Sequence, residues 1–179
     1  RGRAISATVT RAAHDRFRTP DHNAFVRAEP PTGRIVVIAP TRAACETIEI
    51  ALGLHLDTFL ELHYGARVRE LARAGKGFGI VAGTGTGKTL AIRPIAEEAL
   101  GTTDLRVGVV NREREATPET PTWNVVVVTT GIARRWFEDG DIPATDLLIV
   151  DEIHQTSAEL ELCLALAKRV GCRVVWLSA

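Results

Sequence analysis

A glycine-rich segment at residues 83–89 ends in Gly-Lys-Thr and has the residue types that bind phosphate groups. Glycines let the backbone approach phosphates closely and present N–H groups to them. With Ala82 in place of the first glycine, the segment matches a Walker A sequence. The predicted nucleotide-binding residues are Gly83, Thr84, Gly85, Thr86, Gly87, Lys88 and Thr89. The alternative is a flexible Gly/Thr turn without a ligand.

Two of these side chains have specific expected roles. Lys88 is expected to contact the β- and γ-phosphates, and the Thr89 hydroxyl is expected to ligate Mg²⁺.

A pair of carboxylates follows the apolar run 147–150, in the sequence Asp-Glu-Ile-His at residues 151–154. A carboxylate at the carboxyl end of a parallel strand lies where open α/β sheets bind ligands. Asp151 is predicted to hold Mg²⁺, and Glu152 to orient and deprotonate an attacking water. The proposed catalytic set is therefore Glu152, Lys88 and Asp151. The alternative is an ordinary acidic loop that caps the next helix.

The elements that must position these residues alternate between short β-branched runs and helical patterns. Runs such as 125–128 and 147–150 are continuously apolar, which is typical of strands covered on both faces. We predict an α/β fold with a mostly parallel β-sheet flanked by helices on both faces. The predicted strands are 34–39, 78–82, 105–110, 124–129, 146–150 and 173–177.

The helical patterns predict which side chains face the core. Leu60, Tyr64, Val68 and Leu71 form one apolar stripe. Thr156 and Glu159 have the spacing of a capping box at the start of a helix that ends at Gly171. Pro94 is expected to bend the helix that follows the glycine-rich segment. Residues 112–122, with two prolines and mixed charges, are predicted to form a surface loop.

The overall composition excludes few classes of function or partner. The chain has 22 basic and 22 acidic residues, so its net charge predicts no partner. Residues 1–33 are rich in arginine and are interpreted as a basic arm that contacts phosphates or as a solvated terminus. Three cysteines without paired metal-ligand spacing favour a reducing, cytoplasmic setting. No apolar run is long enough to span a bilayer, so no membrane partner is expected. The absence of methionine suggests a piece of a longer chain.

Three segments together resemble superfamily 2 helicases of the DExH kind. Residues 151–154 resemble their motif II, and residues 177–179 resemble the start of motif III. Residues 128–135, Val-Thr-Thr-Gly-Ile-Ala-Arg-Arg, resemble motif Ib of the DEAH/RHA group. No glutamine precedes the Walker A segment to form the adenine-reading motif of DEAD-box proteins, which favours the DExH branch.

The resemblance implies a RecA-like domain over residues 34–179 that uses ATP and Mg²⁺ and acts with a second RecA-like domain. His154 and Ser178 would couple the state of the nucleotide to the nucleic-acid track. Thr129, Thr130, Gly131 and Arg134 would approach the nucleic-acid backbone, through donors that do not depend on base sequence. For Arg134 the alternative is an exposed helix charge. RNA is favoured over DNA as the partner.

One motif is out of order. The strand and motif Ia expected after the Walker A helix have no clear match there, whereas residues 35–42, Ile-Val-Val-Ile-Ala-Pro-Thr-Arg, have that form upstream. We hypothesise that residues 34–54 supply the motif Ia unit in space, with Thr41 and Arg42 on backbone phosphates. The alternative is an additional βα unit at a sheet edge.

The leading interpretation is a nucleic-acid-dependent ATPase, most consistent with an RNA helicase. DNA-directed DExH translocases are close alternatives. A different class is a nucleotide-gated binding module without productive hydrolysis. Because an arginine from a second domain usually completes such sites, we expect this chain alone to hydrolyse nucleotide slowly.

Overall fold

A computed structural model describes residues 33–112, 114, 122–155 and 157–179. The basic arm and most of the predicted surface loop 112–122 lie outside these residues. The strands, in chain order, are β1 Ile35–Ala39, β2 Phe78–Val81, β3 Val107–Val110, β4 Val125–Thr129, β5 Leu147–Val150 and β6 Arg173–Ser178. The helices are α1 Arg42–Ala51, α2 Phe59–Arg73, α3 Ile92–Leu100, α4 Thr130–Glu138 and α5 Ala158–Val170.

The six strands form one parallel sheet in the order β2-β6-β5-β1-β4-β3. Each of the six predicted strands is present, within two residues of its predicted bounds at either end. Strands β1, β4 and β5 are buried along nearly their whole length, as their continuous apolar runs predicted. The α/β fold with a parallel sheet is therefore confirmed.

Helices cover both faces of the sheet and create two apolar cores. Helices α1, α2 and α3 pack on one face, where Ile48, Leu60 and Ile95 are buried. Helices α4 and α5 cover the other face, with Trp136 and Cys163 in its core. Because alternate residues of each strand point to opposite faces, one strand supplies side chains to both cores.

Three local predictions need correction. Tyr64 is 54% exposed, because the buried face of α2 consists of Leu60, Gly65, Val68 and Ala72. The N-cap of α5 is Ser157, whose hydroxyl accepts from Leu160 N–H, rather than Thr156, which lies outside the described residues. Pro94 lies in the first turn of α3, which follows a 3₁₀ turn at Thr89–Ala91, so it removes no hydrogen bond from the interior of that helix.

Strand β1 lies inside the sheet although it comes first among the described strands. Ile35 pairs with Val125 of β4 on one side and with Leu147 of β5 on the other. At its start, the buried Arg34 donates to Asp146 at 2.8 and 3.1 Å. The β1–α1 unit is therefore a central part of the sheet, and the interpretation as an added unit at a sheet edge is wrong. Within the described ranges, no helix is long and apolar enough to cross a membrane.

Candidate nucleotide site and adjoining groove

The glycine-rich segment joins β2 to the 3₁₀ turn Thr89–Ala91 and then to α3, as expected of a phosphate-binding loop. Gly85 and Gly87 have φ values of +83° and +101°, which other residues rarely adopt. The Thr86 hydroxyl donates to Gly83 O at 2.7 Å. Lys88 is buried, and its Nζ donates to Ala82 O at 2.7 Å and Gly83 O at 3.1 Å. The Lys88 ammonium group is therefore held inside the curve of the loop. Thr84 and Thr89 belong to the same segment.

The two sequence motifs meet at the carboxyl edge of the sheet. Strand β6 lies between β2 and β5, and backbone hydrogen bonds connect the loops at their ends. Ala82 N–H donates to Ser178 O at 3.1 Å, and Ile153 N–H donates to Leu177 O at 2.9 Å. These contacts fix the residues after Val150 relative to the start of the glycine-rich loop.

Asp151 is a buried carboxylate without a hydrogen-bond partner at Oδ1. Burial and, secondarily, the neighbouring Glu152 raise the pKa of Asp151 to about 6, and the positive charge of Lys88 opposes this shift. The Lys88 and Asp151 side chains are therefore close enough to interact electrostatically. A buried carboxylate oxygen without a donor is a costly arrangement that a cation would relieve.

Glu152 has φ = +57°, the only positive φ outside glycine in the described part of the chain. Such a backbone costs on the order of 1 kcal/mol or more and is found disproportionately at functional sites. Its Oε2 lies 3.0 Å from His154 Nε2 and accepts from Gln155 Nε2 at 3.1 Å. Both contacts use the same carboxylate oxygen, so they orient the group while leaving Oε1 for another donor.

His154 connects this carboxylate to the end of β6. Its Nδ1 accepts the N–H of Ala179 at 3.2 Å, and the Ser178 hydroxyl lies 3.5 Å from the same nitrogen. Because Nδ1 accepts from a backbone donor, the ring proton of the neutral tautomer is on Nε2, facing Glu152. The two residues predicted to couple the sites are thus in contact with each other.

The other half of the same sheet edge carries a groove of about 480 Å³. It lies where β1, β4 and β3 end, since these strands are neighbours in the sheet. The predicted nucleic-acid-binding residues all line it: Thr41, Arg42, Thr129, Thr130, Gly131 and Arg134. The residues of the upstream Pro-Thr-Arg segment therefore lie beside those of the Thr-Thr-Gly segment, as the motif Ia hypothesis requires.

Two helices begin in this groove. Thr41 is the N-cap of α1, and its hydroxyl accepts from Ala44 N–H at 3.1 Å. Thr129 is the N-cap of α4 but makes no side-chain capping bond, so the first N–H groups of α4 have no side-chain acceptor there. A helix N-terminus with such donors is a favourable place for an anion. Thr130 is only 9% exposed, and its hydroxyl lies 3.5 Å from Ala39 O, so it mainly connects α4 to β1.

Arg134 lies in the groove but is already paired with acidic side chains. Its Nε donates to Glu159 at 3.2 Å, and its Nη1 donates to both oxygens of Glu138 at 3.0 and 3.1 Å. Glu159 also lines the groove, and a Cβ at Gly131 would lie 3.5 Å from its carboxylate. An anion that binds Arg134 must therefore compete with two carboxylates.

A cavity of about 270 Å³ lies between the two halves of the edge. Asp151, Glu152 and Gln155 line it from the β5 side, and Pro40, Thr41 and Thr130 line it from the side of the groove. Asp151 N–H also donates to Ile38 O at 3.0 Å, which connects the carboxylate loop to β1. The carboxylate loop is therefore connected to β1, the strand that leads into the groove.

Sequence reasoning missed several residues of this region. Gln155 directly follows the Asp-Glu-Ile-His segment, a position that could have suggested a role. Glu159, Asn111 and Arg112 enter the groove from α5 and from the end of β3, and nothing in the local sequence indicates that placement. Thr58 was also missed: a Cβ added at Gly87 would lie 2.5 Å from the Cβ of Thr58. Only the fold brings Thr58 next to the glycine-rich loop.

Within the described ranges, no group of three or more His, Cys, Asp or Glu side chains is arranged to hold a metal ion. An ion bound together with nucleotide phosphates needs no such group, since Mg²⁺ in these sites takes few protein ligands. Neither the family models nor the curated proteins that were searched contain a match to this chain.

Proposed function

We propose that this chain is the nucleotide-hydrolysing motor domain of a DExH-type helicase or translocase, acting on nucleic acid and by preference on RNA. The observation that carries the proposal is the buried Asp151 carboxylate, whose Oδ1 lacks a donor and which lies within electrostatic reach of Lys88. A phosphate-bound cation would satisfy that oxygen and explain why the fold retains it.

The residues that would hold the Mg²⁺–nucleotide complex fit this group. The Thr89 hydroxyl and the Asp151 carboxylate would ligate Mg²⁺, which when bound neutralises charge on the phosphates. Lys88 and the backbone N–H groups of residues 83–89 would bind the phosphate oxygens. Lys88 would exchange its two carbonyl acceptors in the loop for phosphate acceptors.

Glu152 is the general base in this proposal. Its Oε2 is held by His154 and Gln155, and Oε1 would accept the proton of the attacking water. His154 would pass a change at Glu152 to Ser178 and Ala179, at the end of β6. The groove with Thr41, Arg42, Thr129 and Gly131 would hold the phosphates of one nucleic-acid strand, in part through the N-terminus of α4.

Binding and turnover of ATP test the proposal separately. We expect the wild-type chain to bind a fluorescent ATP analogue in the presence of Mg²⁺, with Lys88→Ala greatly weakened. Glu152→Gln should retain binding but lose phosphate release by roughly 10²- to 10⁴-fold. Single-stranded RNA should stimulate wild-type turnover more than single-stranded DNA of the same length.

Each result has a contrary outcome. Unchanged turnover in Glu152→Gln would remove the assigned base, and stronger stimulation by DNA would assign the groove to DNA. If a protein that contains both this domain and a second RecA-like domain bound ATP, but neither polymer bound to it or changed its turnover, the motor interpretation would fail while the nucleotide site remained.

A further inference from the structure

The first turn of α2 lies directly against the glycine-rich loop. Leu60 N–H donates to Thr86 O at 3.0 Å. A Cβ at Gly87 would overlap Thr58, the N-cap of α2, at 2.5 Å. The start of α2 is therefore fixed relative to the place where phosphates would bind.

Between α2 and β2 lies an open groove of about 470 Å³. Its walls are Phe59, Tyr64 and Arg67 of α2 on one side and Val81 of β2 on the other, and it reaches Gly83 and Thr86 of the glycine-rich loop. Among the strands that the structure describes, β2 is at the edge of the sheet and has a neighbour on one side only. We call this the edge groove. Its size is within the range of small-molecule sites.

The edge groove is apolar and exposed. Three large hydrophobic side chains of the groove are more than half exposed: Phe59 at 56%, Tyr64 at 54% and Val81 at 67%. Phe59 and the His63 ring lie 4.4 Å apart between centroids, and the Tyr64 ring lies 6.5 Å from Phe59. Exposed apolar surface that is contiguous with polar binding groups is typical of a ligand site.

We propose that the edge groove binds the base of the nucleotide whose phosphates occupy the glycine-rich loop. This rests on the nucleotide site proposed above. Phe59 and Tyr64 would contact the flat face of the base, and Val81 would contact it from the side of the sheet. The side chains of the walls are mainly aromatic and aliphatic, with Arg67 as the charged exception, and stacking does not distinguish bases by their donors and acceptors. The groove therefore selects a purine for its larger face and accepts both adenine and guanine.

Equilibrium binding of ATP, GTP, CTP and inorganic tripolyphosphate, each with Mg²⁺, tests this inference. We expect ATP and GTP to bind within about threefold of each other and CTP more weakly. Phe59→Ala and Tyr64→Ala should each weaken the binding of ATP and GTP by roughly 5- to 100-fold, as expected when a stacking partner is lost. The affinity for tripolyphosphate should be unchanged. Because both side chains are more than half exposed, neither substitution should unfold the chain.

Leu62→Ala is the matched control, since Leu62 is on the same helix, 66% exposed and outside the edge groove. It should change none of the four affinities. Equal weakening of ATP and tripolyphosphate in the Phe59 variant would show a disturbed phosphate loop and overturn the base site, as would unchanged ATP affinity in both aromatic variants. If the wild-type chain bound tripolyphosphate but no nucleotide more tightly, the base site would fail while the phosphate site stood. Binding of neither would overturn both.

Discussion

Arg134 Nε lies 3.2 Å from the Glu159 carboxylate, so the groove proposed for nucleic acid contains its own competing anion. Glu159 comes from α5 and Arg134 from α4, and the two meet beside Gly131. The pair is exposed enough that it stabilises the fold little. Its main consequence is electrostatic, since a phosphate that enters the groove must displace a carboxylate or bind next to it.

Glu159→Gln should therefore strengthen binding of single-stranded RNA, by about two- to fivefold at low salt and less at high salt. Fluorescence anisotropy at two salt concentrations measures this. Glu161→Gln is the control, because it removes the same charge from the same helix turn but does not line the groove. An equal gain in both variants would indicate a general charge effect rather than competition within the groove.

Gly87 and Gly83 differ in what an added methyl group would meet. Gly87 has φ = +101°, and a Cβ there would overlap Thr58, whereas a Cβ at Gly83 would meet nothing within 4 Å. Gly87→Ala should lower the free energy of unfolding by about 2 kcal/mol or more, since strained backbone and steric overlap add. Gly83→Ala should change it by less than about 0.5 kcal/mol. Urea denaturation without ligand measures both, and similar values for the two variants would contradict the described loop geometry.

Asp151→Asn should separate stability from binding. At pH 8 the wild-type carboxylate is ionised, buried and without a donor at Oδ1, and burial raises its pKa to about 6. A neutral amide removes the buried charge, so we expect the ligand-free variant to be more stable by about 1–2 kcal/mol. The same variant should lose Mg²⁺-dependent nucleotide binding. Thermal unfolding with and without Mg²⁺–ATP checks both, and a destabilised ligand-free variant would show that Asp151 has a structural role.

The buried pair of Arg34 and Asp146 predicts a pH dependence of stability. Burial raises the pKa of Asp146 to about 6, and Arg34, which also lies 5.5 Å from the Trp136 ring centroid, opposes the shift. In Arg34→Met the carboxyl loses its cation, so its pKa in the folded state rises further. The folded variant then binds the proton more tightly than the unfolded chain does. The stability that this carboxyl contributes to the variant is therefore fully present below its pKa in the unfolded chain and is lost as the pH rises through the raised folded pKa.

We expect Arg34→Met to lower the free energy of unfolding by about 3–5 kcal/mol at pH 8, as the loss of one partner of a buried ion pair does. The decrease should be much smaller near pH 5. Urea denaturation at the two pH values tests this. The double variant Arg34→Met/Asp146→Asn has no carboxyl at this position and should lack the extra pH dependence. A loss that is the same at both pH values would mean that Arg34 acts through packing alone.

The strands, and the placement of residues 83–89 and 151–154 directly after β2 and β5, could be predicted because their causes are local. Runs such as 125–128 are apolar at every position, and strands buried on both faces require this. The orientation of α2 could not be predicted in the same way, because Tyr64 and Gly65 fit almost equally well on its apolar side. The fold buries the glycine, since Glu61 and Arg69 pack around it, and leaves the tyrosine outside.

Predictions about the groove that Thr41 and Thr129 line were limited by a different cause. Thr41 and Thr129 come together because β1 and β4 are paired, and that pairing depends on the whole sheet. Motif resemblance suggested this neighbourhood, but it offered no signal for Glu159, which arrives from a third element. Contacts between side chains far apart in sequence depend on packing, which one-dimensional patterns do not contain.

The central position of β1 has a consequence for the way the chain folds. During synthesis β1 leaves the ribosome before either of its neighbours, and the ion pair at its start joins residues 112 positions apart. The backbone groups of β1 therefore remain unpaired until β4 and β5, which follow it by about 90 and 110 residues, have been made. Contacts of such long range slow folding, because a large loop must close before they form. Refolding should accordingly depend on β5, and truncation before Leu147 should leave the β5 side of β1 unpaired as an aggregation-prone edge.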